Sequence, residues 1–235
     1  MKTEVIARLD WADIGLQLNQ EGYAILPGLL SESQLRELAA LRDSTSIDRM
    51  VSLASEDLGR GDQFYFSDAL PPLIADLRTR FYEHLAHVAN RWNETLGVSR
   101  RYPDTLDTFL IQNREAGQTR SQSNLSRLRE GDYMALHQRG DGEQAFPLQL
   151  VALLSAPGKD FTGGEFVMTE QRPRMQSRPM VLPLCKGDMA IISVAQRPHK
   201  GTKGHYRVNL KHAISRVRGG ERIGLELVLH DARQD

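Results

Sequence analysis

The chain has 235 residues, with 30 acidic and 30 basic side chains and a formal net charge of +0 when histidine is neutral. That length suits one large domain with a developed core. The charge balance removes any general attraction to nucleic acid or an anionic membrane, so nucleic acid is disfavoured as a partner. Cys185 is the single cysteine, which excludes an internal disulfide and a cysteine-rich zinc site. The opening MKTEVIARLDWADIG has early acidic residues and no long apolar run, and no stretch reaches the length of a membrane span. The expectation is a soluble cytoplasmic protein with no membrane partner.

In chain order, residues 10–20 read as a short helix. Gly22 to Pro27 reads as a short strand ended by proline, which cannot continue a central ladder. Ser31 and Gln34 form a capping-box pattern, followed by Leu35, Leu38 and Leu41 at helical spacing. Residues 44–68 are rich in Gly, Ser and Asp and read as loop, with one short helix near 49–54. Leu70, Leu73, Leu77, Phe81, Leu85, Val88 and Trp92 then draw an apolar stripe along a long helix that braces a sheet. His84 and His87 lie near that stripe without an acidic partner and are not read as a metal pair. After Gly97 the pattern changes to short apolar runs separated by Gly, Pro, Asp and Arg. Strands are expected at 106–112, 132–137, 148–155, 165–169, 180–184, 188–193, 206–210 and 223–229. So many short strands, with no βαβ rhythm and no glycine-rich phosphate loop, indicate a jelly roll, sandwich or barrel. The expected organisation is one domain over 1–235, with residues 1–100 a mostly helical support.

Candidate chemistry gathers at three strand ends. His137 closes an apolar run and enters a polar, glycine-rich loop. His212 follows the run from Tyr206 to Lys211. Arg222 stands ten residues later, at the start of the last apolar run. Fe(II) used for oxygen activation takes two imidazoles and often one carboxylate, with open positions for a chelating co-substrate and oxygen. A keto acid's distal carboxylate is matched by arginine's planar fork. Tyr133, four residues before His137, falls on the same side of an extended strand and is placed to offer its hydroxyl to that carboxylate. From spacing alone the reading stops at a β-rich domain with a candidate two-histidine site. A strand-end histidine that only hydrogen-bonds is the competing reading.

Several stretches together resemble bacterial 2-oxoglutarate- and Fe(II)-dependent oxygenases of the prolyl-hydroxylase-like type. They are Phe146-Pro147-Leu148-Gln149, Asp160-Phe161-Thr162-Gly163-Gly164-Glu165-Phe166, Thr169 to Ser177, Lys186-Gly187-Asp188, Tyr206 to His212, Gly220-Glu221-Arg222 and His230-Asp231. The resemblance covers 105–232, and more weakly Gly22 to Leu30. It implies a mainly β fold with N-terminal helices, a double-stranded β-helix (cupin-like jelly roll). It implies His137 and His212 as iron ligands, Arg222 as the grip on 2-oxoglutarate, and Gly163-Gly164 as a tight turn. The cofactors implied are Fe(II), 2-oxoglutarate as co-substrate, and O2. The implied reaction is hydroxylation of a bound substrate, with release of succinate and CO2.

One position departs from the pattern. The resemblance expects His-x-Asp, and this chain has Arg139, whose guanidinium cannot ligate a metal. Three readings follow. Asp141, flanked by Gly140 and Gly142, reaches back as the carboxylate ligand; or two histidines hold the metal beside an arginine that attracts an anion; or the activity is altered or lost. Glu143 is a further carboxylate in the same loop. Arg139, Arg172, Arg174 and His199 are candidate substrate contacts, with solvated loops as the competing reading for the last three; Arg178 belongs to the same charged stretch. Cys185 reads as structural filler. The function expected is a dioxygenase acting on a small molecule or a peptidyl side chain, as a monomer or homodimer. The alternatives are a non-catalytic binding or regulatory module and a nucleobase-demethylase-like oxygenase.

Overall fold

Most of the β structure follows Gly117, but the sheets are completed by strands from the first 66 residues. The computed structural model describes residues 4–140 and 142–233. Helices α1 (Glu4–Ala7) and α2 (Trp11–Glu21) precede strand β1 (Tyr23–Leu26). Helix α3 (Glu32–Ala40) is followed by β2 (Ile47–Ser52), β3 (Gly59–Arg60) and β4 (Asp62–Phe66), then by helices α4 (Pro72–Thr95) and α5 (Leu106–Glu115). The remaining strands are β5 (Gln118–Arg120), β6 (Asn124–Arg129), β7 (Tyr133–His137), β8 (Leu148–Leu153), β9 (Phe161–Gly163), β10 (Phe166–Gln171), β11 (Arg178–Leu182), β12 (Met189–Ser193), β13 (Gln196–Gly201), β14 (Gly204–Ile214), β15 (Val217–Leu227) and β16 (Ala232–Arg233).

The larger sheet runs β1-β12-β8-β15-β6-β4-β2, with β9 also on β15; the smaller runs β11-β10-β14-β7-β3, with β13 also on β14. The named strand pairs are antiparallel, as a jelly roll requires. Alternation along β8 sorts its side chains. Leu148, Leu150 and Ala152 join the helices in one core, while Val151 and Leu153 join Phe166, Met168, Leu210 and Ile214 in a second core between the sheets. Every position of β8 is therefore buried, the mark of a strand covered on both faces. The long apolar stripe is realised on α4, which buries Leu73, Leu77, Phe81, Leu85, Val88 and Trp92. The expected capping box at Ser31 and Gln34 is present.

Two segments differ from expectation. Residues 106–112 are helical, not a strand. Thr105 accepts from the Thr108 amide as N-cap, and Leu106, Phe109 and Asn113 point inward at helical spacing; the run Phe109-Leu110-Ile111 imitates a strand, yet Ile111 is exposed. Residues 44–68, expected as loop around a short helix, supply β2, β3 and β4. β2, at the edge of the larger sheet, alternates half-buried and exposed residues, whereas β4 next to it buries Gln63 to Phe66. His84 stacks on Trp11 with ring centroids 4.2 Å apart, a packing role.

A buried arginine fastens α2 to the smaller sheet. Arg197 on β13 donates to the carbonyls of Asn19 and Gln20, at the helix C-terminus where a cation complements the dipole. It also pairs with the buried carboxylate of Glu170. Gly22 makes the approach feasible. It ends α2 in the left-handed conformation, and a Cβ there would lie 2.5 Å from Leu210. Replacing Arg197 with Leu removes the carbonyl contacts and leaves Glu170 with half-buried Arg172 alone. The expected loss is about 3–5 kcal/mol of stability in urea unfolding; a loss under about 1 kcal/mol would remove Arg197 as the anchor of α2.

Candidate functional site

His137 and His212 stand directly opposite each other across the β7–β14 pairing. Their ring centroids are 4.2 Å apart at 55°, and both rings are buried. Nδ1 of His137 lies 2.9 Å from the Ala135 carbonyl oxygen. A carbonyl only accepts, so Nδ1 carries the proton and Nε2 presents a lone pair. That Nε2 is buried and has no hydrogen-bond partner. In His212, Nδ1 is likewise buried and partnerless, while Nε2 lies 3.3 Å from the Gln149 amide nitrogen. The Gln149 oxygen is also unpaired; turning that amide end for end lets it accept from Nε2–H and frees the Nδ1 lone pair. Phe166 stacks on His212 at 9° with centroids 5.9 Å apart.

Burial pushes the His137 pKa down, opposed by the Glu226 carboxylate. Burial, with the neighbouring His137, pushes His212 well below the ordinary imidazole range. Both rings are therefore neutral near pH 7, the form in which imidazole binds a metal. Two neutral imidazoles with ring centroids 4.2 Å apart and buried, unpartnered nitrogens suit two ligand positions on a divalent metal; among the described residues no third His, Cys, Asp or Glu joins them.

A buried ion pair lies near His137, close enough for both of its charges to act on that ring. Arg139 is buried, and its Nε donates to Glu226 Oε2 at 3.0 Å. Burial works against its charge, but Glu226 and Tyr65 more than offset that and hold its pKa above the ordinary value. Its Nη2 is buried without a partner. Asp141, the carboxylate expected from the loop, lies outside the described residues. Glu143 is not at this centre; its side chain is exposed and pairs with Arg233 at 4.0 Å.

Arg222 faces the same interior from β15. It is 3 % exposed, and its Nε donates to the Gly164 carbonyl at 2.9 Å. Burial lowers its pKa to about 10, with Glu226 acting against the shift. Gly224 gives the guanidinium room, since a Cβ there would lie 2.9 Å from Nη1. On the inner side of Arg222, a chamber bordered by Ser126, Phe166, Ile214, Gly224 and Glu226 has a volume of about 10 Å³. On the outer side, a cavity of about 510 Å³ is lined chiefly by apolar residues, including Phe161, Val181 and Leu184.

Other expected contacts are not at this centre. Tyr133 is 36 % exposed. The register slips between His212–His137 and Ile214–Met134, and this bulge sends Met134 inward in place of the residue that strict alternation selects. Arg172 pairs with Glu170, and His199 packs edge-on to Tyr206; His199 lies in β13 rather than in a loop. Arg174 is exposed, with φ 63 in the turn after β10. Cys185 is exposed rather than filler. The sequence reading missed Glu226, Gln149 and Tyr65. Glu226 carries a legible signal: it is the charged residue inside the apolar run 223–229, on the same strand side as Arg222.

The Oxygenase-NA family model, described as an oxygenase catalysing oxidative methylation of damaged DNA, matches residues 61–232. Two uncharacterised proteins of Mycobacterium tuberculosis, from strains CDC 1551 and H37Rv, are each 39% identical over 167 residues, covering 71% of this chain and 72% of theirs. Among solved structures, a 2-oxoglutarate-Fe(II) oxygenase family oxidoreductase from Burkholderia pseudomallei aligns with TM-score 0.56 and 17% identity, over 95% of this chain and 92% of that one. A Pseudomonas putida prolyl-4-hydroxylase aligns with TM-score 0.53 and 12% identity, over 96% and 100%. At these identities the two structures speak for the jelly-roll fold.

The neutral histidines set an acid limit on stability. His137, His212 and buried His230, whose pKa burial lowers to about 3, all lie below the ordinary 6.5. As pH falls, the unfolded chain therefore takes up protons first. The stability these groups contribute is complete above pH 6.5 and drains away toward pH 3, by about 1.4 kcal/mol per pH unit for each group while its folded form stays neutral. Urea midpoints from pH 8 to 4 should fall in that window, and His230→Asn should flatten the acid limb. An unchanged limb would show that His230 titrates freely in the folded chain.

Proposed function

The chain belongs to the Oxygenase-NA family, 2-oxoglutarate-dependent oxygenases on a prolyl-hydroxylase-like jelly roll, and on that premise we propose that His137 and His212 hold Fe(II) while Arg222 binds the distal carboxylate of 2-oxoglutarate. The observation that carries this reading is the pair of opposed, buried, neutral histidines with unpartnered ring nitrogens. Bound Fe(II), with 2-oxoglutarate and O2, supplies the oxidising power, and the co-substrate leaves as succinate and CO2.

The chain's own residues prepare that chemistry. The Ala135 carbonyl fixes the His137 ring and its tautomer. Phe166 keeps the His212 ring from rotating. Arg222 stays cationic at neutral pH despite burial, and the Gly164 carbonyl aims its fork. Packing of the second core excludes bulk water from the space between the sheets. The reaction we favour is hydroxylation of a small molecule or peptidyl side chain. A second reading, oxidation of a damaged nucleobase, is favoured by the family description and by a cavity of about 470 Å³ beside Gln138 and Gly140 that carries Arg100 and Arg207.

Anaerobic addition of Fe(II) and 2-oxoglutarate should produce the visible metal-to-ligand charge-transfer band. His212→Ala should abolish it, and Arg222→Gln should raise the 2-oxoglutarate concentration needed at least tenfold. Asp141→Ala in the same titration reports whether that carboxylate joins the metal. A folded parent with no histidine-dependent band would overturn the assignment. For the second reading, Arg207→Glu should weaken binding of a single-stranded alkylated oligonucleotide in a salt-dependent manner; equal, salt-insensitive anisotropy for parent and variant would exclude this cavity as its path.

A further inference from the structure

The small chamber on the inner side of Arg222, the residue read as the co-substrate's anchor, already contains a carboxylate. Glu226 is 3 % exposed and lines the inner chamber next to Arg222. Its Oε2 is held by Arg139 at 3.0 Å, and its charge also acts on Arg222 and His137. The chamber's volume of about 10 Å³ is about that needed for one water. A five-carbon keto dicarboxylate is several times larger, so on this side of Arg222 it fits only if Glu226 moves; the open space beside Arg222 is the outer cavity of about 510 Å³.

Charge leads the same way as volume. The chamber is bordered by one cation, Arg222, and one carboxylate, Glu226, and a second cation, Arg139, pairs with Glu226 from outside that lining. One positive charge is left over among these three groups, which favours an anion, yet Arg139 is already paired with the protein's own carboxylate. That arginine has a further buried nitrogen, Nη2, with no partner. This is the arrangement expected where a protein side chain stands in for one end of a dicarboxylate.

We propose that Glu226 competes with the dicarboxylate co-substrate for the space between Arg139 and Arg222, so that the ligand enters only when Glu226 releases Arg139. This rests on the reading of Arg222 as the co-substrate's anchor. Opening the chamber breaks a buried ion pair, and that cost is subtracted from the ligand's own contacts. Glu226 thereby sets co-substrate affinity, and Arg139 acts as its latch. When Glu226 is absent, Arg139 becomes a second cation for the ligand.

The test is calorimetric binding of 2-oxoglutarate to the full chain with Mn(II), which reads affinity without turnover. Glu226→Ala should bind at least tenfold more tightly than the parent and gain more thermal stability from the ligand. Because that variant strands Arg139, the double variant Arg139→Ala/Glu226→Ala is measured beside it. It removes the pair without leaving a buried lone charge, and it too should bind more tightly than the parent. Binding by the parent as tight as by both variants overturns the proposal; if Arg222→Gln abolishes that parental binding, the co-substrate reading itself survives. No 2-oxoglutarate binding by any of these proteins overturns both.

Discussion

One antiparallel pairing, β7 against β14, brings together two histidines far apart in sequence. Strand register is a discrete quantity: a slip of one residue would turn an entire strand to the opposite face. The register here is fixed by packing on both sides of the pair. Met168, opposite His212 on the next strand, and Met134, beyond the bulge, are both buried in the core between the sheets. The histidines therefore owe their mutual position to apolar burial. Their neutrality has the same cause, since the core that sets the register also removes the water an imidazolium would need. Position and protonation state follow from one constraint.

The interior is nonetheless unusually charged. Arg139, Arg222 and Glu226 all lie within a few per cent of full burial or little above it, where an unpaired charge is expensive. Arg139 and Glu226 satisfy each other. Arg222 has the Gly164 carbonyl and a more distant carboxylate, and its lowered pKa records that imbalance. A buried guanidinium with incomplete compensation costs stability, and proteins concentrate such costs at binding sites. Arg197 offers the contrast. It is equally buried, but it is satisfied by a carboxylate and by helix-end carbonyls, and its role is to hold α2 against the sheet.

The jelly roll was legible because short apolar runs and the turn residues between them are local properties. The strands at 148–155, 188–193 and 206–210 follow directly from them. The segment at 106–112 was not, because an apolar run of this length satisfies both periods and only the Thr105 cap decides between them. Residues 44–68 were misread for the opposite reason. Gly, Ser and Asp between the strands mask them, and the edge strand β2 is only half-buried on its inward side. At the site, His137, His212 and Arg222 were legible as residue types at strand ends, and the structure brings the three to one interior. Tyr133 was not, since strict alternation cannot foresee a bulge. The partner of Arg139 lay far along the chain on β15, and spacing carries no information about which strands face each other across a sandwich.

Arg139 and Glu226 also bear on how the two sheets stay together near the paired histidines. Arg139 follows β7 of the smaller sheet, and Glu226 belongs to β15 of the larger. Their bond is a tie across the sandwich. A carboxylate at 139 would leave Glu226 facing another anion, so the two positions are electrostatically interdependent and a change at one alone strands a charge. The tie is made from protein groups alone, so the sheets are joined here whether or not a metal is bound. Removing either partner should disturb the fold as well as the chamber, whereas removing both should chiefly disturb the chamber. That separation lets a structural role for the pair be told apart from its effect on ligand entry.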